Sequence, residues 1–189
     1  MVQGTSDPTC QGWVGRVGAA AWNQGYALTL HNLGIRGATS ADVSARWRAE
    51  ALARLQAGSH KYLVFCFGAN DTTRLGEDLR VPLARSLAHF SRTVSDAQLL
   101  HPTRVVGPFP VGEATQDART RELCARYAER ARALGVHYLP VAGQLMDSSL
   151  WRDDVAASDG CHPGAAGYQL VADMVCAWSA WWFRSSTSF

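Results

Sequence analysis

The feature that most constrains the fold is the run Tyr62–Phe67, whose six residues, YLVFCF, are almost all apolar. A continuous apolar run of this length is typical of a strand that is buried on both faces of a parallel sheet. Shorter runs of the same kind follow at 105–106 and 136–140, and Tyr26–Leu30 is a further stretch that favours a strand. The sequence therefore predicts a parallel sheet that is covered by helices.

Segments with a helical period alternate with these strands. Apolar residues recur every three or four positions in them, and Thr39 or Ser40 is a suitable N-cap for the first one. Strands that alternate with helices indicate a parallel sheet with right-handed crossovers. We therefore expect a single three-layer α/β/α domain over residues 1–189, with a flavodoxin-like sheet. The predicted helices cover 43–55, 79–94, 119–134 and 164–183.

The charge and hydropathy of the chain exclude two kinds of partner. The net charge is only +2, and the arginines are spread along helices, where we expect solvated faces at Arg16, Arg46, Arg48 and Arg54. Such a distribution predicts no nucleic-acid surface. No apolar run reaches the roughly 18 residues of a membrane span, so no stable membrane insertion is expected. The aromatic group Trp178, Trp181, Trp182 and Phe183 is read as part of a final helix that docks on the sheet.

The cysteines indicate a reducing compartment. There are five, an odd number, and no two form a CxxC pair. This pattern argues against a disulfide framework and against a zinc knuckle. The remaining histidines show no ligand spacing, so no metal is expected. Because no apolar leader is visible at the start of the sequence, the expected location is cytoplasmic.

Candidate catalytic residues lie where chemistry is found in parallel sheets, at the carboxyl ends of the strands and before the final helix. Asp159 and His162 are three residues apart, and Gly160 and Pro163 favour a tight turn around them. A histidine can take a proton from a hydroxyl near neutral pH, and a nearby carboxylate fixes its tautomer. Taken alone, the pair is more typical of a helix cap beside a surface histidine.

Two further loops contain groups that suit an oxyanion. Asn70 follows the apolar strand within Gly68-Ala69-Asn70-Asp71, and its side-chain amide can donate to a developing negative charge. Gly37 lies in another loop, where the missing side chain lets a backbone N–H approach a substrate closely. Each loop alone is more typical of an ordinary turn. Asp71 is expected to brace its loop by hydrogen bonds.

Taken in order, these motifs resemble those of the SGNH hydrolases, the GDSL-like lipases and acylhydrolases. The motifs are N-L-G-I-x-G-x-T at 32–39, G-x-N-D at 68–71 and D-G-x-H-P at 159–163, and the resemblance covers essentially the whole chain. It implies an α/β/α fold, hydrolysis of small-molecule esters and no cofactor. By the same resemblance His162 is the base, Asp159 orients it, and Gly37 and Asn70 form the oxyanion hole.

The nucleophilic serine of this family is the missing element. The first family motif reads roughly G-D-S-x-x-x-G, and Gly4 matches its last glycine, with Gly12-Trp13 following. The nucleophile and its strand are then expected directly before Met1. Two alternatives stay open: Ser6 serves as a displaced nucleophile, or the chain is a catalytically dead binding module that keeps the pocket. A flavodoxin-like nucleotide binder is disfavoured because the sequence lacks GxGxxG and GxxxxGK[ST] loops.

Three other residues near these motifs have alternative interpretations. Arg36 either binds an acidic group of a substrate or is merely exposed. Phe109, which follows the strand at 105–106, either lines an acyl pocket or belongs to the core. Cys161 is expected to pack in the turn, because side chains adjacent in sequence generally point apart.

Overall fold

The computed structural model describes residues 2–55 and 60–184. They fall into two compact units. We call Gly37–Asp147 the sheet unit, and Met1–Arg36 with Ser148–Phe189 the terminal unit. In the described residues the helices are α1 Gly12–Asn23, α2 Ser40–Leu52, α3 Leu83–Gln98, α4 Ala114–Ala133, α5 Ala142–Asp147, α6 Ser149–Ala156 and α7 Ala165–Ala177. The strands are β1 Leu63–Phe65, β2 Arg74–Leu75, β3 Asp78–Leu79, β4 Thr103–Val106 and β5 His137–Leu139.

The sheet unit contains the predicted parallel sheet. Its strand order is β1-β4-β5, and both pairings are parallel. Leu63 lies opposite Thr103, and Arg104 lies opposite His137. The three strands predicted in this region are confirmed. The expectation that the first is buried on both faces is wrong, because Val64 is 38% exposed on an edge strand whose only described partner is β4.

Aromatic side chains between the sheet and helices α2 to α4 form the core of the sheet unit. The ring of Phe90 on α3 stacks on that of Tyr127 on α4 at 4.3 Å between centroids. Phe67, just after β1, contacts Tyr127 edge to face at 5.8 Å. Trp47 of α2 contacts Phe65 in the same way at 5.4 Å. The helical stripes predicted from periodicity thus bury these residues against one side of the sheet. The predicted start of the second stripe at 79 is wrong, because Leu79 lies in β3 and α3 begins at Leu83.

Local capping determines where two helices of the sheet unit begin. Thr39 is the N-cap of α2, and it forms a capping box with Asp42. The start of α4 was expected near residue 119, but the helix begins at Ala114 because the Glu113 carboxylate accepts hydrogen bonds from the Thr115 and Gln116 N–H groups. Its end agrees with the prediction, since Gly135 adopts a φ of 65° just after the helix.

The terminal unit is built on the packing of α1 against α7. Val17 of α1 and Val171 and Val175 of α7 are almost fully buried. The predicted last helix over 164–183 is too long, because α7 ends at Ala177 and Trp178 adopts an extended ψ of 123°. The aromatic side chains of the segment after α7 pack on one another instead. The rings of Trp181 and Phe183, for example, lie 5.7 Å apart between centroids.

Tyr26–Leu30, predicted as a strand, is irregular in the structure. A strand needs a neighbour to take up its N–H and C=O groups. The described part of the terminal unit contains no strand that could serve. The Tyr26 N–H instead donates to the Ala21 carbonyl at the end of α1.

A buried ion pair joins the N-terminal loop to α1. The Asp7 carboxylate has no exposed surface and binds the guanidinium of Arg16, which is 11% exposed. It also accepts hydrogen bonds from the N–H groups of Thr9 and Gly12. The Arg16 guanidinium holds the pKa of Asp7 well below its usual range, although burial opposes this shift. The expectation that Arg16 is a solvated residue is therefore wrong.

No helix among the described residues has both the length and the apolar composition needed to cross a membrane.

Asp7→Ala is expected to lower the free energy of unfolding by about 3 kcal/mol, because it leaves the buried Arg16 guanidinium without its carboxylate. Urea unfolding followed by circular dichroism measures this. The control is Asp96→Ala, which removes an exposed carboxylate 4.0 Å from Arg92 and should change stability by less than about 0.5 kcal/mol. Equal effects of the two substitutions would contradict the importance assigned to the buried pair.

Candidate active site

The turn between α6 and α7 brings Asp159 and His162 into direct contact. Nδ1 of His162 lies 2.8 Å from Oδ2 of Asp159. The other carboxylate oxygen accepts the backbone N–H groups of Cys161 at 3.0 Å and His162 at 2.7 Å. Because three donors converge on one carboxylate, both its position and that of the imidazole are fixed within a single turn.

The electrostatics of this pair suit a general base. Burial alone raises the pKa of Asp159, but the hydrogen bonds from His162 and Cys161 outweigh it and lower the pKa to about 2. Burial lowers the pKa of His162, and the hydrogen bond to Asp159 opposes that shift. A neutral imidazole at pH 7 then directs its Nδ1–H to the carboxylate and leaves Nε2 as a proton acceptor.

The ends of the turn are held by α6. Oδ2 of Asp154 accepts the Gly167 N–H at 2.6 Å, which supplies the first turn of α7 with a cap from a neighbouring helix. A side chain at Gly164 would meet Oδ1 of Asp154 at 3.1 Å. Ser158 donates to the carbonyls of Val155 and His162. Asp154 could not be identified from the sequence, since a carboxylate that caps another helix has no fixed spacing from it.

The N-terminal loop is bound to α7 and to the loop at 32–34. The Tyr168 hydroxyl on α7 donates to the Thr5 carbonyl at 2.8 Å. The Asn32 amide donates to the Val2 carbonyl at 2.7 Å. Gly4 has a φ of 75°, and a Cβ there would lie 2.6 Å from the Gly12 nitrogen. Only glycine fits this close approach, which accounts for the glycine that the sequence matched to the first family motif.

Ser6, the alternative nucleophile, is exposed and has a φ of 67°. It lies in an open surface groove of about 530 Å³ that Ser158 and Asp159 also line. Among the described residues its hydroxyl makes no hydrogen bond to the His162 imidazole. Arg36 is also exposed, with 68% of its side chain accessible, and its Nη2 lies 4.0 Å from Oδ2 of Asp159.

In the sheet unit the two proposed oxyanion loops are joined directly. Asn70 lies in a short 3-10 turn, Ala69–Thr72, that follows β1. Its side-chain amide donates to the Ala38 carbonyl at 2.9 Å. Gly37, the residue before Ala38, has a φ of 77°. The structure thus places the loop of Gly37 against the side chain of Asn70.

Asp71 braces these two loops, as the sequence predicts. It is 1% exposed. One carboxylate oxygen accepts the Ser40 N–H at 2.8 Å, at the start of α2. The other accepts the Ser86 hydroxyl of α3 at 2.5 Å. The buried carboxylate therefore ties the Asn70 turn to both helices.

Two other sequence expectations have plain structural counterparts. Phe109 is 1% exposed, so it belongs to the core and not to an open pocket wall. Cys161 is half-buried, in keeping with a packing role in the turn. Across residues 2–55 and 60–184, no three His, Cys, Asp or Glu side chains are grouped so that they could hold a metal ion.

Comparisons with known proteins agree with the motif order. The model of the GDSL-like lipase/acylhydrolase family matches residues 1–170. No curated protein matches the chain.

Several solved structures are similar. A mutant of Axe2, an acetyl-xylooligosaccharide esterase from Geobacillus stearothermophilus, has a TM-score of 0.72 at 19% identity, covering 86% of this chain and 78% of that one. A lipase/acylhydrolase from Enterococcus faecalis has a TM-score of 0.71 at 20% identity, with 86% and 82% covered. A protein of the G-D-S-L family from Desulfitobacterium hafniense has a TM-score of 0.70 at 19% identity, with 92% and 91% covered. These likenesses confirm the predicted three-layer α/β/α fold with a parallel sheet.

Asp159→Asn is expected to lower the pKa of His162 further, because the charge that stabilises the imidazolium is lost. An NMR titration of the His162 ring protons measures this in residues 1–189. Asp173→Asn is the control, since this exposed carboxylate on α7 accepts from Gln169 within its own helix. A His162 pKa that stays the same or rises in Asp159→Asn would contradict the assigned contact.

Proposed function

The chain belongs to the GDSL-like lipase/acylhydrolase family of ester-cleaving hydrolases, and we propose that it acts on small-molecule carboxylic esters through a serine nucleophile. In this proposal His162 is the general base and Asp159 orients it. The observation that carries the assignment is the 2.8 Å contact between Nδ1 of His162 and the Asp159 carboxylate, with the carboxylate fixed by two backbone N–H groups.

The chemistry follows the usual course of acyl transfer. The serine hydroxyl attacks the ester carbonyl while Nε2 of His162 takes its proton. Asp159 stabilises the imidazolium that forms. The imidazolium then gives the proton to the leaving alcohol, and the serine stays acylated. Water attacks the acyl-enzyme in the second half of the reaction, again with His162 as the base.

Gly37 and Asn70 are proposed as the donors to the oxyanion. The Asn70 amide carries two hydrogens, and its hydrogen bond to the Ala38 carbonyl uses one and fixes the plane of the other. The Gly37 N–H is the second donor. Donors held in place before the reaction stabilise the negative charge more than water does, because they need no reorganisation.

The nucleophile is proposed to be a serine four residues before Gly4, directly upstream of Met1. Its support is the conformation of the N-terminal loop. Gly4 makes the close approach to Gly12 that only glycine allows, and the next residue, Thr5, is bound by Tyr168 of α7. Since α7 begins just after His162, this contact holds the start of the chain within the same unit as the catalytic pair.

A fluorophosphonate probe, which labels activated serines, tests the nucleophile. The chain extended through its own upstream reading frame should be labelled on that serine, as mapped by peptide mass spectrometry, and should hydrolyse p-nitrophenyl acetate. Residues 1–189 should show neither reaction. Labelling of Ser6 that Ser6→Ala abolishes would overturn the assignment, and a full reading frame without a labelled serine would favour the binding module.

The pH profile of the extended enzyme follows from the state of His162. The base must be neutral to accept a proton, so kcat/KM rises with pH and is lost as the pH falls through the His162 pKa. Since burial lowers that pKa from its ordinary 6.5, half-maximal kcat/KM is expected below pH 6.5. A midpoint above pH 7 would contradict this environment for the imidazole.

A cytoplasmic location is part of the proposal. Its support is the cysteine pattern of the sequence, which has an odd number of cysteines and no CxxC pair, as is usual in a reducing compartment. Fractionation of cells that express the full-length protein tests this, and recovery outside the cytoplasm would contradict it.

A further inference from the structure

The hairpin of β2 and β3 is anchored to the turn that carries Asn70. The Arg80 N–H, just after β3, donates to the Thr73 carbonyl at 2.9 Å and closes the base of the hairpin. The next N–H, of Val81, donates to the Asp71 carbonyl at 3.3 Å. The backbone of Arg80 is therefore fixed relative to the Asn70 turn.

The side chain of Arg80 extends from this anchor to the other oxyanion loop. Its Nη2 donates to the Gly37 carbonyl at 2.9 Å. The guanidinium also lowers the pKa of Asp42, after the larger effect of the Thr39 hydrogen bonds. Arg80 thus connects the Asn70 turn, through its backbone, with the loop that leads into α2, through its side chain.

No neighbouring group packs where a side chain of residue 37 would lie. A Cβ built at Gly37 would meet nothing within 4 Å. Its φ of 77° lies in a region that glycine reaches without strain but also leaves easily. The conformation of such a residue depends on hydrogen bonds to its carbonyl and to the next one. Arg80 binds the Gly37 carbonyl, and Asn70 binds that of Ala38.

We propose that Arg80 is a positioning residue that holds the Gly37 backbone in the orientation needed for its N–H to face the oxyanion. This rests on the proposed function, because it assumes that Gly37 is an oxyanion donor. Arg80 need not contact the ester. The hydrogen bond from the Arg80 side chain to the Gly37 carbonyl fixes the rotation about the Gly37 Cα–C bond. Because the backbone of Arg80 is bound to the Asn70 turn, Arg80 also sets the separation between the Gly37 and Asn70 donors.

Kinetics of the upstream-extended enzyme on p-nitrophenyl acetate distinguish this role from substrate binding. A donor shifted by about 1 Å can reduce the rate by up to about 100-fold, so Arg80→Met is expected to lower kcat about 10- to 100-fold with little change in KM. Arg80→Lys should recover part of the loss. A raised KM with unchanged kcat, or no change in either, would overturn the proposal.

The matched control is Arg74→Met. Arg74 lies at the base of the same hairpin on the opposite strand, where it pairs with Leu79, and among the described residues its guanidinium donates to the Glu77 carbonyl within the hairpin. This variant should keep the wild-type kcat, because it does not reach Gly37. An equal loss of kcat in both variants would show that the hairpin as a whole matters and would contradict the specific role of Arg80.

A second measurement does not require activity. In residues 1–189, NMR should show a changed carbonyl ¹³C shift and a lower backbone order parameter at Gly37 in Arg80→Met, and neither change in Arg74→Met. An unchanged Gly37 would overturn the role of Arg80. If Gly37 loosens but the extended wild-type enzyme does not cleave esters, the proposed function fails while the restraint on Gly37 stands.

Discussion

The carboxylate of Asp159 is the group on which the turn of the proposed base depends. It accepts hydrogen bonds from two successive backbone N–H groups and from the imidazole of His162. The backbone bonds shape the turn, and the side-chain bond orients the ring, so one residue provides both the local fold and the orientation of the proposed base. α6 reinforces this arrangement, because Asp154 binds the first turn of α7. A base that is positioned locally in this way needs no contribution from distant residues to keep its tautomer.

The proposed oxyanion loops are stabilised in a different manner, by hydrogen bonds between segments far apart in the sequence. Asn70 binds Ala38, Asp71 binds Ser40, and Arg80 binds Gly37. At Gly37 such a bond is combined with open space where a side chain would lie. The Asp71 carboxylate is buried, so neighbouring donors must supply the hydrogen bonds that water would otherwise make.

Features determined by neighbouring residues could be predicted from the sequence. The Thr39 cap, the apolar strand before Asn70 and the Asp159–His162 spacing all depend on a few adjacent positions. Features that depend on distant partners could not. Tyr26–Leu30 has the composition of a strand, but a strand also requires a neighbour. Arg16 has the spacing of an exposed helical residue, and only the folded N-terminal loop brings Asp7 to it.

The central claim is that His162 acts as the base of a serine esterase, and the most direct test is the turnover of p-nitrophenyl acetate by His162→Gln in the upstream-extended enzyme. Loss of a base that acts with a serine typically lowers kcat by at least about 1,000-fold, whereas His60→Gln, at an exposed position outside the turn, should retain wild-type activity. A His162→Gln enzyme that keeps more than about a tenth of the wild-type kcat would contradict the claim.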